Sequence, residues 1–399
     1  MENFKLIPGG ICAPAGFSAA GVHCGIRHNH SKLDLALIKA DVRCAGAGCY
    51  TTNKVYGAPI TVDREHLKDG YAQAIVVNSG NANTCAPNGI ELAKETCEIV
   101  AKELGISADD VLPSSTGVIG QAMSIEPFAK GIPEAAAKLA ATEAGSHDAA
   151  TAIMTTDTHS KEVSIEFTIG GKTCRMGAIA KGSGMIHPNM ATMLLFITTD
   201  AKVEPAVLQA ALSSVVPATF NQISVDGDTS TNDTVLLLAS GASGIEPEPD
   251  EFNELVAKAT ASLARQIIGD GEGASHDIRV KVTGATTEEA ALACGRAVAA
   301  SNLLKCAISG NDPNWGRIVS SLGTVPSDVA PYDSEKVTVD VNGVRICENG
   351  GAGRDRSEVD MTPREVHIDI DLNAGEAEAT VWTDDLTHEY VHINADYES

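Results

Sequence analysis

The sequence predicts an α/β (α+β) fold, with helices layered around mixed β-sheets and a smaller C-terminal domain. Three observations carry this. Segments with apolar residues at helical spacing are interleaved with short β-type runs. Two-residue turns, Gly170-Gly171 and Asn342-Gly343, join pairs of these runs into antiparallel hairpins, so the sheet is not purely parallel. Finally, 43% of the 399 residues are apolar, enough for a substantial core, yet only 4% are aromatic. Small residues suit tight helix-on-sheet layers better than an aromatic-rich sandwich.

Taken in order, GICAPAGF, LDLALIKA and CYTTNKV within residues 1–60 read as strands and turns. AIVVNSGNAN is a buried strand, Ala74 to Val77, leading into a loop. There Asn78, Asn81 and Asn83 suit positive φ and side-chain turns. Asn88 is placed to cap a helix in which Ile90, Ala93, Cys97, Val100, Ala101 and Leu104 recur at helical spacing. DVLPSSTGVIG is a short strand and a second glycine loop. Residues 125–153 read as helix, broken near Gly131 and Pro133. VSIEFTIGGKTCRMGAIAKG is a hairpin whose second strand delivers Lys181 into a loop holding Gly182, Gly184 and Pro188.

MLLFITTDA is a buried strand, followed by a helix from about Glu204 to Val215 and a strand at VLLLAS. Glu251 to Ile268 is helical and ends in GDGEGASH. DIRVKVTG is a strand of clean alternation. Thr286 is expected to cap a helix reaching about Leu304, with Glu288 and Glu289 in its first turn. CAISGNDPNWGRIV reads as strand, loop and short helix. KVTVDVNGVRIC, EVHIDIDLN and EATVWTD supply the last strands, and the acidic last third is where a smaller domain is expected.

The net charge of −24 is uneven. Up to Ala191 there are 16 Lys/Arg against 19 Asp/Glu, and from Thr192 onward 13 against 34. Phosphate would be repelled, which argues against a nucleic-acid partner. No apolar stretch approaches the ~20 residues of a membrane span. MENFKLIPGG lacks a signal-type apolar run, so a cytoplasmic location is expected.

Ten scattered cysteines without CxxC pairs do not form a disulfide framework. Cys24, His28 and His30 are close enough to raise a metal, but a polar loop beside an unrelated cysteine is the plainer reading. Asp226 and Asp228 resemble a cation loop, yet Leu237 stands where an EF-hand needs its bidentate Glu. There is no GxxxxGK[ST], GDGEG sets acids inside its glycine run, and no GxSxG is present.

The segment KGSGMIHPNMATMLLFITTDA sets one small polar residue, Thr192, where loop becomes strand. Most threonines at strand starts only fit the strand. A threonine hydroxyl needs a base to act as a nucleophile. If the chain were cut before Thr192, the new α-amino group, with a pKa of about 8, would serve its own hydroxyl. Ala191 is small, and an N-to-O acyl shift followed by ester hydrolysis would make the cut.

This segment resembles the self-cleavage site of the glutamate N-acetyltransferase/ornithine acetyltransferase family of arginine biosynthesis. AIVVNSGNANTC, LPSSTGVIG, IMTTDT, SVDGDTSTNDT, GEGASHDI, GNDPNWGRI and NADYES resemble family segments in the same order, over essentially the whole chain. The resemblance implies a self-cleaving N-terminal-nucleophile-type fold. Cleavage between Ala191 and Thr192 would give an α chain, residues 1–191, and a β chain, residues 192–399.

It also implies that Thr192 is the nucleophile and that Thr116 and Gly117 form the oxyanion hole. Thr155, Lys181, Thr192, Glu272, Asn394 and Ser399 fall on substrate-binding positions. Lys181 suits a carboxylate and Glu272 an ammonium, although a lone Lys or Glu is more often a surface charge. The implied reaction moves acetyl from N2-acetylornithine to glutamate, with no metal or organic cofactor and with acetyl-CoA as a further donor in bifunctional members. A monofunctional ornithine acetyltransferase and a self-cleaving aminopeptidase or amidohydrolase are the alternatives. The implied assembly is a heterotetramer of two α and two β chains.

Four positions depart from the family pattern. Ser275 and His276 follow EGA where Thr and Lys are commoner, Cys49 replaces an apolar residue, and Ser399 stands in place of Thr.

Overall fold

The computed structural model describes residues 4–27, 29, 31–169, 171–187 and 193–396. The chain divides into two units. Among the described residues, one spans 4–221 and 228–267, and the other 222–227 and 268–396.

In chain order the first unit contains β1 (Phe4–Leu6), β2 (Phe17–Val22), β3 (Leu35–Tyr50), α1 (Ala58–His66), β4 (Tyr71–Asn81), α2 (Gly89–Leu104) and β5 (Val111–Val118). It continues with α3 (Glu126–Lys138), α4 (Glu143–Ala152), β6 (Lys161–Ile169), β7 (Lys172–Lys181), β8 (Leu194–Thr199) and α5 (Pro205–Ala218). The short β9 (Ile223–Ser224) belongs to the second unit. β10 (Thr234–Ala239) and α6 (Pro249–Ile268) follow. The strands form one mixed sheet in the order β1-β6-β7-β8-β10-β3-β4-β5, with β2 paired to β3.

Both faces of this sheet are covered, which is why its strands read as near-continuous apolar runs. Along β3 and β4, Ala36, Ile38, Ile75 and Val77 pack into one core with Ala149, Ala150 and Ile153 of the α4 region. Leu35, Leu37, Ala74 and Val76 pack into a second core with Leu92, Cys97 and Val100 of α2 and with Phe128 and Ile132 of α3. The period-2 alternation of strand side chains thus feeds two layers of helix.

The second unit adds β11 (Asp277–Ala285), α7 (Glu288–Ala299), α8 (Asn302–Ser309), α9 (Trp315–Leu322), β12 (Thr338–Val341), β13 (Val344–Glu348), β14 (Gly351–Ala352), β15 (Glu365–Asp371), β16 (Ala377–Asp384) and α10 (His388–Asp396). Its sheet order is β14-β13-β12-β15-β11-β16-β9. Ile278, Val280 and Val282 of β11 bury their side chains with Ala290, Ala291, Cys294 and Val298 of α7. β12 and β13 are joined through Asn342 (φ 47°) and Gly343 (φ 79°), the two positive φ values that a tight hairpin turn needs.

Several local expectations are corrected. GICAPAGF is not a strand throughout: Gly10–Cys12 is a turn of 3-10 helix, and β2 begins at Phe17. CYTTNKV contributes only its first two residues, as the end of β3. The helical stretch 125–153 does not break at Gly131 and Pro133, which lie inside α3, but between Lys138 and Glu143. Gly131 marks a close approach: a Cβ there would sit 2.3 Å from Cys24 Cβ. Thr287 rather than Thr286 caps α7, accepting the Ala290 N–H at 3.1 Å. That helix stops at Ala299, and CAIS lies in the separate α8, capped by Ser301. Its buried Leu304, Ala307 and Ile308 hold helical, not strand, spacing.

One core residue opposes the fold. Asp63 of α1 is fully buried, and neither of its carboxylate oxygens has a hydrogen-bond partner among the described residues. Burial raises its pKa well above the ordinary aspartate value. An acid with a raised folded pKa holds its proton more tightly folded than unfolded, so stability falls as pH climbs above about 4. Asp63→Asn is therefore expected to stabilise the protein by about 1–3 kcal/mol at pH 7. The gain in melting temperature should shrink towards zero when melts are repeated near pH 4.

Candidate active site

Four chain segments of the first unit converge where β5 and β7 terminate. Lys181, the last residue of β7, pairs in register with Leu194, the first of β8. Its Nζ donates to Thr116 Oγ1 of β5 at 3.5 Å. Met193 donates its N–H to Asp233 Oδ1 at 3.0 Å, just ahead of β10. The neighbouring Asn232 closes the ring, donating from Nδ2 to the carbonyls of Ser115 at 2.9 Å and Ala82 at 2.6 Å. Asn232 Oδ1 accepts from Thr84 and Thr231, so this buried amide is fully used.

Gly117 follows Thr116 at φ +125°, a conformation that favours glycine. A Cβ there would lie 2.3 Å from the Gly80 carbonyl carbon and 2.6 Å from Asn81 N. The irregular pairing of β4 with β5 at Gly80 and Asn81 makes this contact, so two glycines let two backbones touch. Thr116 is buried beside it.

Asp157 ties Thr155 to Gly182, the residue that follows Lys181. Its carboxylate accepts the N–H of Thr155 at 2.9 Å, the N–H of Gly182 at 2.7 Å and the Lys161 ammonium at 2.7 Å. Asp157 and Lys161 are both wholly buried. Burial alone would raise the acid's pKa, but the charges of Lys181 and Lys161 with these hydrogen bonds overcome it and hold the group well below the carboxylate range. Asp233 goes the other way. Burial dominates, only partly offset by the Met193 N–H, the nearby hydroxyls of Thr51 and Ser230 and the charge of Lys181, and its pKa rises well above the usual value.

In the second unit, Glu272 and Asn394 meet: Asn394 Nδ2 donates to Glu272 Oε2 at 2.6 Å. Glu272 is buried in the turn between α6 and β11. The adjacent Gly273 (φ +67°) lies so close to α10 that a Cβ would reach 2.6 Å from Tyr390 N.

Of the sequence-predicted residues, Thr116, Gly117, Thr155 and Lys181 thus gather in the first unit, and Glu272 and Asn394 in the second. Ala191, Thr192 and Ser399 lie outside the described residues, as do His28 and His30. Cys24 packs into the core beside Gly131, and burial pushes its thiol pKa up. Asp226 accepts a hydrogen bond from the Tyr390 hydroxyl at 3.2 Å. Among the described residues no cluster of His, Cys, Asp or Glu is grouped to hold a metal ion.

A cavity of about 690 Å³ is lined by Gly9, Gly10, Thr142, His147 and Glu162 and touches none of the assigned residues. Two residues that organise the site, Asp157 and Asp233, were not singled out from the sequence. Each sits inside a polar run, TTDTHS and DGDTSTNDT, where nothing local sets it apart from its neighbours.

The Asp157–Lys161 pair yields a direct test. Asp157→Asn removes the charge facing a buried ammonium, and breaking such a pair costs about 3–5 kcal/mol. Melting curves of the variant should show this loss at pH 7. The lowered pKa means that the stabilisation persists at neutral pH and fades only below the usual carboxylate range.

Comparison with known proteins agrees with the resemblance. The model of the ArgJ family matches residues 18–399. The arginine biosynthesis bifunctional protein ArgJ of Bifidobacterium longum is 63% identical over 387 residues, covering 96% of this chain and 98% of that protein. The glutamate N-acetyltransferase of Methanocaldococcus jannaschii is 43% identical over 407 residues, covering 98% of this chain and 99% of that protein. Among solved structures, the ArgJ protein of Bacillus halodurans is 38% identical with a TM-score of 0.45, over 48% of this chain and 100% of that one. With a family match over nearly its whole length, the chain belongs to the ArgJ family, acyltransferases of arginine biosynthesis.

Proposed function

We propose that this chain cuts itself between Ala191 and Thr192 and then moves acetyl groups from N2-acetylornithine to glutamate on the Thr192 oxygen. The observation that carries the reading is the convergence of Thr116, Lys181 and Met193, because Met193 directly follows Thr192 in the chain. The fold type is that of N-terminal nucleophile enzymes, and cutting yields an α chain 1–191 and a β chain 192–399.

For self-cleavage, Thr192 Oγ attacks the Ala191 carbonyl carbon. The C–N bond breaks, and the freed amine takes the hydroxyl proton. Water then hydrolyses the ester, leaving an Ala191 carboxylate and an N-terminal threonine. In the first transfer step the Thr192 amine accepts the proton of its own hydroxyl as Oγ attacks the acetyl carbonyl. The Thr116 hydroxyl and the Gly117 N–H stabilise the oxyanion. Ornithine leaves with the proton on its α-amine. Glutamate then attacks the acetyl-threonine ester through its own α-amine, and the proton it sheds returns to the threonine oxygen.

Lys181 holds a substrate carboxylate. Glu272, supported by Asn394, holds the ornithine ammonium, and Thr155 and Ser399 complete the substrate contacts. This chemistry uses no metal or organic cofactor. Acetyl-CoA serves as a second donor, and two α and two β chains assemble.

Intact mass of the denatured protein tests the first step: two species, one beginning at Thr192, are expected. Thr192→Ala should give a single species with no acetyl transfer. A Thr192→Ala protein that still transfers acetyl overturns the mechanism. Thr116→Ala should lower kcat about 10²–10³-fold, the usual loss for one oxyanion donor. Its KM for N2-acetylornithine should change much less, because the hydroxyl acts in the transition state. Unchanged turnover would remove Thr116 from the oxyanion hole.

A further inference from the structure

The turn that carries Glu272 is held by one carboxylate to which sequence reading gave no role. Asp385 lies between β16 and α10, with its side chain wholly buried. Its Oδ1 accepts the N–H of Ser275 at 2.8 Å and that of His276 at 3.0 Å. Its Oδ2 accepts the Ser275 hydroxyl and faces His276 Nδ1 at 3.0 Å. The Asp385 N–H returns a bond to the His276 carbonyl at 3.2 Å. His276 Nε2 faces the Met361 carbonyl at 3.4 Å, so the ring bridges Asp385 to the chain ahead of β15.

Little slack separates this clamp from Glu272. The Ala274 N–H donates to the Gly271 carbonyl at 3.0 Å, and Thr387 Oγ1 donates to the Gly273 carbonyl at 2.7 Å. A Cβ on Gly271 would fall 2.0 Å from Asp384 Oδ2, and one on Gly273 would strike α10. The turn is therefore packed on both sides and tied at both ends. The contacts also require a carboxylate. Several donors converge on two oxygens, and an amide in the same place would turn an NH₂ towards some of them.

We propose that Asp385 is a positioning residue. It sets where the Glu272 carboxylate stands, and so the affinity for a substrate bearing a side-chain ammonium. Ser275 and His276, two of the departures from the family pattern, are its partners in this chain. The proposal rests on reading Glu272 as the ammonium partner. Because glutamate has no side-chain ammonium, the effect is selective for one of the two substrates.

The test is steady-state kinetics of the mature protein with N2-acetylornithine as donor and glutamate as acceptor, comparing wild type, Glu272→Gln and Asp385→Asn. Both variants should raise the KM for N2-acetylornithine about tenfold, in keeping with the loss of hydrogen bonds to a charged group. The KM for glutamate and kcat should stay within about twofold, and the mass pattern of self-cleavage should be unchanged. If Asp385→Asn does not fold, the double variant Ser275→Ala/His276→Gln removes the two side-chain contacts to Asp385 from the other side and should show the same selective rise. A rise with Glu272→Gln but not with the clamp variants overturns the proposal and leaves the ammonium reading intact. No rise with Glu272→Gln overturns that reading, and the proposal with it. Equal losses for both substrates would reduce Asp385 to a general structural role and also overturn it.

Discussion

Strand β8 is hydrogen-bonded along both of its edges, and the arrangement of the first unit depends on that. It runs antiparallel to β7 over six registered pairs from Met176↔Thr199 to Lys181↔Leu194, and parallel to β10 from Leu194↔Thr234 to Thr199↔Ala239. Every residue of β8 is buried. A strand paired on one edge frays from a free end, whereas one paired on both is held along its length. The chain can therefore end just upstream of β8 without loosening the sheet. The first residue of that strand, Leu194, remains fixed against Lys181 on one side and Thr234 on the other.

Burial sets the charges around this strand, and partners decide the sign of each shift. Asp157 and Asp233 are equally sheltered from water, yet they move in opposite directions. Asp157 faces a bonded ammonium and two backbone donors. Asp233 has one backbone donor, and its Oδ2 has no hydrogen-bond partner among the described residues. Asp384 in the second unit is intermediate. Burial, with help from Asp385 and Asp226, raises its pKa to about 7 against the pull of Lys305. Groups of one residue type are thus spread across ionisation states by their surroundings alone.

Much of the architecture was legible because it follows from periodicity and turn chemistry. The β6–β7 hairpin, the Asn342-Gly343 turn and the alternation of β11 depend on local residue types, and the structure has them as read. Misreadings arose where tertiary packing overrode local preference. Gly131 and Pro133 look like helix breakers, but Gly131 is there so that α3 can approach Cys24 closely. CAIS is short and apolar, which suits strand or helix equally, and its neighbours in the core decide for helix. Motif segments brought out Thr116, Gly117, Lys181 and Glu272, but the supporting acids Asp157, Asp233 and Asp385 could not be picked out from sequence spacing. Their partners lie up to 110 residues away in the chain, and only the folded backbone brings those donors together.

The contact between Gly117 and Gly80 limits what protein engineering could do with this site. The amide of residue 117 is presented by main chain alone, at a place where neighbouring backbone occupies the space of any side chain. Randomising that codon would return glycine, and any enlargement of this region would have to draw on other walls. The strand pair acts here as a fixed jig: residues around it can be exchanged, but the spacing of its two backbones cannot.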